Sequence, residues 1–455
     1  MTEELERRLG TRDAVVVGLS AMIGAGVFAV FAPAAGAAGS WLLAALALAA
    51  VVAYCNATSS ARLAARHPES GGTYVYGRRR LGPFWGYLAG WGFTVGKTAS
   101  CAAMALTFGA YVIPELARPL AVGAVVVLTV LNLFGVRRSA RAAMIMVGFV
   151  LLVLAAVVTV AFLQRPDVGP VTGMPADDPA LIVDERAERP AGASIVDKEQ
   201  VIELGSLDDL PPGLHYVLDP EVTGWGVLQG AGLLFFAFAG YARIATMGEE
   251  VRDPGRTIPR AIGIALGLAL VVYALVAAAA LETLGPGWLA MSAEPLVDVV
   301  ETVGATGLGP VVRAGAAVAA LGALLALLLG VSRTVLAMAR ERDLPGAFAA
   351  VDPVHQVPRR AELAVGAAVV VLVLVADLRE AIGFSSFGVL VYYAIANAAA
   401  LRLGRDEGAP PKAVPVLGLA LCLLLAATLP LPSVVAGLVV FAVGAALWAV
   451  RRRLA

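Results

Sequence analysis

Residues Ile23-Gly24-Ala25-Gly26-Val27-Phe28 decide the reading of this chain. They interrupt its first apolar run, residues 13–38, with two glycines. Glycine is a poor helix former, and backbone polar groups left unsatisfied in hydrocarbon are costly. A break at membrane depth is tolerated only where it lines a cavity or is buried in protein. A second stretch, Phe235-Phe236-Ala237-Phe238-Ala239-Gly240-Tyr241, sits in the first apolar run of the later half. Two such breaks in corresponding runs point to the substrate site of a transporter.

Composition supports a membrane setting. Of 455 residues, 59% are hydrophobic and 15% charged, against roughly 25% charged in a soluble domain. A span needs about 20 apolar residues. By that rule about twelve spans are expected, at 13–38, 41–65, 84–113, 119–135, 139–164, 224–249, 258–284, 308–339, 361–377, 380–402, 413–430 and 432–450. Alternating sides from a cytoplasmic N-terminus puts most of the 34 lysines and arginines on the inside. That bias predicts a cytoplasmic-membrane protein with both termini inside. It also makes the basic clusters topology signals rather than nucleic-acid patches. The first run has no A-x-A cleavage pattern close behind it and is expected to stay as a span. Cys55, Cys101 and Cys422 lie in apolar runs and suggest no disulfide or zinc framework.

The two broken runs head spans one and six. Ten spans then divide into two five-span units. An odd number of spans per unit makes the units opposite in orientation. The expected fold is all-α and integral to the membrane, with a five-plus-five inverted repeat and discontinuous helices 1 and 6. Its parts are the tail and first repeat (1–164), an acidic outer loop (165–223), the second repeat (224–402), and peripheral helices 11 and 12 with a cytoplasmic tail (403–455). The loop carries Asp177, Asp178, Asp184, Glu185, Glu188, Asp208 and Asp209 with several prolines, a composition that suits solvation better than packing. The stretch 285–309, with Glu294, Asp298 and Glu301, reads as an amphipathic outer hairpin.

A broken helix offers free N–H groups and a positive dipole end at one half-helix, and free carbonyls at the other. The first suits a carboxylate and the second an ammonium. An α-amino acid carries both at a short fixed separation. The backbone of Ile23, Gly24, Ala25 and Gly26 is therefore a candidate carboxylate cradle. Phe236, Ala237, Phe238, Ala239 and Gly240 are candidates for the ammonium side. The competing reading is that small residues merely let helices pack closely. Lys97 and Arg243 are ionisable groups within spans and are functional candidates on that ground. A lysine can change its protonation when buried; an arginine cannot, so Arg243 would bind an anionic group or pair internally. Glu249 and Glu250 lie beside Arg252, Arg256 and Arg260 at the end of span six, where opposite charges could latch an inner gate.

Four motifs carry a family resemblance. They are Ile-Gly-Ala-Gly-Val-Phe at 23–28; His67-Pro68-Glu69-Ser70-Gly71-Gly72-Thr73-Tyr74-Val75-Tyr76 with Leu81-Gly82-Pro83-Phe84-Trp85-Gly86; Gly248-Glu249-Glu250-Val251-Arg252-Asp253-Pro254 running to Ile262; and Ser332-Arg333 with Ala337-Met338-Ala339-Arg340. Over about 13–400 the chain resembles the amino acid–polyamine–organocation transporter superfamily, in its basic amino acid/polyamine antiporter-like or cationic amino acid transporter-like branch. The resemblance implies alternating access with amino acids as the usual cargo. It also implies that the span-one glycine amides hold the substrate carboxylate and span-six carbonyls hold its amine. Two departures bear on coupling. The stretch Ala326–Gly330 lacks the hydroxyls of sodium-coupled relatives, and Ala140–Val160 lacks the lysine of proton-coupled ones.

The expected function is secondary active transport of an amino acid, by proton-coupled symport or exchange. A polyamine or organic amine exchanger is the alternative. The expected partners are the amino acid, a proton and the lipid bilayer, with no nucleic acid, cofactor or metal. A membrane enzyme or receptor is the competitor from another class. Against an enzyme, the chain has no H-E-x-x-H or G-x-S-x-G motif, and its three histidines fall between the spans.

Overall fold

In the computed structural model, residues 10–24, 26–67, 71–134, 140–164, 223–245 and 251–454 are described. Among them the ordered structure is helical. The helices are α1 (Thr11–Met22), α2 (Gly26–Ala29), α3 (Phe31–Ala38), α4 (Leu42–Arg66), α5 (Thr73–Arg80), α6 (Pro83–Val112), α7 (Ala117–Leu133) and α8 (Ala140–Leu163). After the segment 165–222 follow α9 (Gly224–Phe238), α10 (Ala242–Ala245), α11 (Pro254–Met291), α12 (Pro295–Thr302), α13 (Gly309–Arg340), α14 (Arg359–Val375), α15 (Leu378–Ala400), α16 (Ala413–Thr428) and α17 (Leu431–Leu454). Each of the twelve expected spans falls on one of these helices or on one broken set. α1 to α3 form span one, and α9 and α10 form span six. Most of the acidic outer loop lies outside the described residues.

The bundle is built inside out relative to a soluble protein. Ile145, Leu152, Val371, Val375, Leu431 and Leu438 are exposed, which suits contact with lipid tails. The interior is rich in small residues. A Cβ on Gly96 of α6 would lie 3.2 Å from the Ser385 carbonyl oxygen and 3.3 Å from Gly388 Cα, both of α15. Backbones approach this closely only where side chains are absent.

The packing order has a regular pattern. α1 and α3 pack on α11, and α9 packs on α4. α1 packs on α8, and α9 on α15. α6 packs on α15, and α13 on α8; α6 packs on α7, and α13 on α14. Each pair just named recurs when every span is exchanged for the one five places away. α4 with α11, α6 with α13, and α7 with α14 pack together and map onto themselves. α16 and α17 lie against α15 and stand outside this exchange.

One end of the bundle is closed by ion pairs between connecting segments. Arg78 of α5 lies 2.8 Å from Asp343, which also accepts a 2.7 Å hydrogen bond from the Tyr74 hydroxyl. Arg80 and Arg66 both reach Glu407, at 2.5 and 3.1 Å. The Arg80 guanidinium holds the Glu407 carboxyl down at about 2, well below the usual carboxylate range. The opposite end carries the hairpin expected at 285–309. Gly285 turns the end of α11 with φ +71°, and α12 packs on α2. Arg313 anchors that hairpin to Glu294 at 2.8 Å and Glu301 at 3.6 Å.

Candidate substrate site

α1 ends at Met22, and Ile23 leaves helical geometry at φ −83°, ψ +49°. Helix resumes at Gly26. Ala25 lies outside the described residues, so its part in the cradle is not located. The second break is tighter than the sequence suggests. α9 stays helical through Phe238, turns as a 3-10 segment over Ala239–Tyr241, and continues as α10. The Phe236 carbonyl accepts from the Ala239 N–H within that turn.

The two breaks touch. A Cβ on Gly240 would lie 2.3 Å from the Ala21 carbonyl oxygen and 2.6 Å from the Met22 nitrogen. A Cβ on Gly26 would lie 3.1 Å from Ala237 Cα. The backbones therefore cross in direct contact, Gly240 on the end of α1 and Gly26 on Ala237. Neither glycine has a positive φ, so both are required for space rather than for backbone freedom.

Tyr273 of α11 joins the breaks, and sequence reading missed it. Its hydroxyl is 2.6 Å from the Met22 carbonyl oxygen and 3.1 Å from that of Ala237. One O–H thus serves the end of both interrupted helices. Tyr273 is 1% exposed, and its ring stands edge-on to Phe238 at 5.0 Å. Its signal was present: it is the one polar side chain between Ala261 and Leu281. On the α13 side, Ala323 closes on Gly24, 2.9 Å from where a Cβ would stand. Beyond the first break, at α2, the Tyr111 hydroxyl of α6 donates at 3.0 Å to the Phe28 carbonyl, with its ring edge-on to Phe28.

Of the ionisable candidates, Lys97 is not part of this crossing. Lys97 is buried, 7% exposed. It lies fourteen residues from Tyr111 on α6, about 21 Å along the axis at 1.5 Å per residue. Its helix neighbours Thr94 and Gly90 meet Met338 near the end of α13. That places Lys97 several turns from the breaks, towards the Arg340 end of the bundle. No carboxylate among the described residues lies within 4 Å of its ammonium. Arg243 on α10 is exposed rather than sealed among the helices. Glu249 and Glu250 lie outside the described residues, and so does the latch expected of them.

A second unexpected residue is Glu362, the lone ionisable side chain between Arg360 and Asp377. Beside Arg359 and Arg360 it reads as an ordinary end-of-span charge. In the structure it is 1% exposed and accepts a 2.7 Å hydrogen bond from Ser332.

The comparisons agree with this architecture. The amino acid permease family matches residues 9–449. An uncharacterized transporter of Mycobacterium tuberculosis is 59% identical over 99% of this chain and 92% of its own length. Cationic amino acid transporter 4 of Homo sapiens is 27% identical over 90% of this chain and 62% of its own length. The branched-chain amino acid permease BcaP of Bacillus subtilis is 23% identical over 97% of this chain and 92% of its own length. A multi-span helical bundle with two interrupted helices and a family match across nearly its whole length is a transporter and not an enzyme: the chain belongs to the amino acid permease family.

Proposed function

We propose that the chain carries neutral α-amino acids across the cytoplasmic membrane by alternating access, with both termini on the cytoplasmic side. The observation that carries this reading is the direct crossing of the two breaks, Gly240 on Ala21–Met22 and Gly26 on Ala237. It sets N–H groups that start α2 within a few ångströms of the carbonyls that end α1 and α9. The amides around Gly24 and Gly26 hold the carboxylate, where the dipole of a resumed helix is positive. The carbonyls of Met22 and Ala237 hold the ammonium. Tyr273 supplies the hydroxyl that keeps both carbonyls in place, and the ammonium then competes for or shares the same lone pairs.

Among the described residues, side chains that meet the breaks include Phe28, Phe236, Phe238, Tyr273 and Ala323, all apolar or aromatic. No carboxylate stands among them to receive a cationic side chain. A polyamine has no carboxylate to fill the glycine cradle, so that alternative leaves half of the site unused. The pairwise packing order supports two five-helix units, 1–164 and 224–402, related by an inverted repeat, with 403–455 peripheral. Exchange or proton symport supplies the driving force. Lys97, Arg243 and Glu249 remain candidates for gating or coupling.

Proteoliposome uptake tests this reading. Labelled leucine, isoleucine, valine and alanine should accumulate with saturable kinetics, exceeding arginine, lysine and putrescine. No uptake of any amino acid would defeat the reading. Putrescine uptake with no leucine uptake would establish the polyamine alternative.

A further inference from the structure

The Glu362 side chain ends in a closed polar cluster between α6, α7, α13 and α14. Ser332 of α13 donates to one carboxyl oxygen, Oε1, at 2.7 Å. The other oxygen, Oε2, has no hydrogen-bond partner. Asn132 of α7 is 0% exposed and lies close enough to interact with the same carboxyl, yet its amide makes no well-formed hydrogen bond to it or to any other group. One turn away, Thr129 Oγ1 is also buried without a partner, packed where Gly366 of α14 leaves room. Buried polar atoms are ordinarily satisfied, so such a group of orphaned atoms around one carboxyl calls for an occupant or a change of state.

Among the described residues, the charged and titratable groups facing Glu362 are few. Arg333 approaches from α13, outside ion-pair distance. Cys101 of α6 lies within electrostatic reach of both Glu362 and Lys97. The connection from α13 to α14 brings His355 edge-on to Phe134 at the end of α7, with its ring 3.7 Å from Asp352, and α7 itself presents Asn132 and Thr129. On α14 itself, Arg359 is engaged by Asp352 at 3.2 Å, and Arg360 points to the Ala347 carbonyl.

We propose that Glu362 is a proton-binding site, taking up one proton from one side of the membrane and releasing it to the other as the substrate is carried. The chemistry is a reversible transfer between a carboxylate and a carboxylic acid, with no other bond made or broken. The Asn132 amide fits both forms. Its Nδ2 can donate to the carboxylate, and after a flip its Oδ1 can accept from the acid O–H. The link to the substrate site is α13, which holds Ala323 against Gly24 and Ser332 on Glu362, nine residues or about 14 Å apart along the axis. Any displacement of α13 that opens the first break also strains or releases the Ser332–Glu362 bond.

This inference rests on the transport reading, and one set of vesicles separates their failures. Wild-type protein is reconstituted and assayed for leucine counterflow without a gradient, then for net uptake under an inward proton gradient. The gradient should stimulate net uptake about fivefold or more, a usual size for coupling between sites. Glu362→Gln mimics the protonated form, so counterflow should persist while the gradient stimulation disappears. Glu362→Asp should keep the stimulation with its pH midpoint displaced. Absence of counterflow in the wild type would count against the transport reading itself. Counterflow without gradient stimulation in the wild type, or full stimulation in Glu362→Gln, would overturn the proton site. If Glu362→Gln proves inactive in both assays, Glu362→Asp decides: an unchanged pH midpoint overturns the proposal.

Discussion

Replacing Gly240 with alanine tests the crossing itself. The added Cβ would stand 2.3 Å from the Ala21 carbonyl oxygen, 2.4 Å from the Ala21 carbonyl carbon and 2.6 Å from the Met22 nitrogen. All three are backbone atoms, so no side chain can swing aside. Restoring an ordinary contact of about 3.5 Å requires the two breaks to part by about 1 Å. Overpacking of this kind costs about 1–3 kcal/mol, and backbone opposition puts Gly240 at the upper end. The larger effect falls on binding. A parting of about 1 Å stretches a hydrogen bond of about 2.9 Å beyond the range in which it holds. Hydrogen bonds to charged groups contribute about 1.5–3 kcal/mol each. Losing one at either end of a rigid amino acid weakens binding about 10- to 100-fold. The assay is the KM of leucine uptake in proteoliposomes, with protein amount and monodispersity checked by gel filtration. Gly26→Ala is the internal comparison. Its Cβ would meet Ala237 Cα at 3.1 Å and Cβ at 3.2 Å, needing only a few tenths of an ångström, so its KM should rise less. A Gly240→Ala protein with wild-type KM would refute the crossing as the site.

Other expectations follow from named contacts. Tyr273→Phe keeps the ring against Phe238 and removes the hydroxyl shared by Met22 and Ala237. It should lower stability by about 1–3 kcal/mol, the cost of leaving a buried carbonyl without its donor, seen as earlier thermal unfolding in detergent. An unaltered unfolding curve would mean that the hydroxyl does not support the breaks. Lys97→Met should leave the leucine KM unchanged, because Lys97 sits several turns from the crossing; a tenfold rise would return it to the substrate site. At Glu407 the folded carboxyl is held near 2, chiefly by the Arg80 hydrogen bond. A depressed carboxyl stabilises the fold above its unfolded value and loses that effect as pH falls towards the folded one. The difference in thermal stability between wild type and Glu407→Gln should therefore be flat from pH 8 to about 5 and shrink below about 4.5. A difference that changes between pH 6 and 8 would assign the ion pairs of Glu407 another origin.

Much of this was legible before the structure, for a physical reason. Glycine within hydrocarbon is a local anomaly, and a local anomaly shows in the sequence. The first break, at Ile23 to Gly26, is where it was expected. Gly240 lies in the expected interruption, a 3-10 turn between two helices, and there it also acts as a spacer. What makes it a spacer is Ala21, far away in the chain. Tyr273 and Glu362 escaped for the same cause. Each is a single polar residue whose partner lies on another helix, so being alone in an apolar run marks it without saying what it binds. For Arg243, a span position alone did not reveal that its side chain is exposed.

Competition by substrate analogues tests the paired cradle most directly. Labelled leucine uptake is measured against leucine, against its amine lacking the carboxylate (isoamylamine), and against its acid lacking the amine (4-methylpentanoate). If amides at Gly24 and Gly26 hold the carboxylate while carbonyls of Met22 and Ala237 hold the ammonium, each truncated analogue loses one charged set of hydrogen bonds. Both should inhibit at least about tenfold more weakly than leucine. Inhibition by either analogue at the potency of leucine would contradict the crossing of the two breaks as the site that recognises an amino acid by both of its ends.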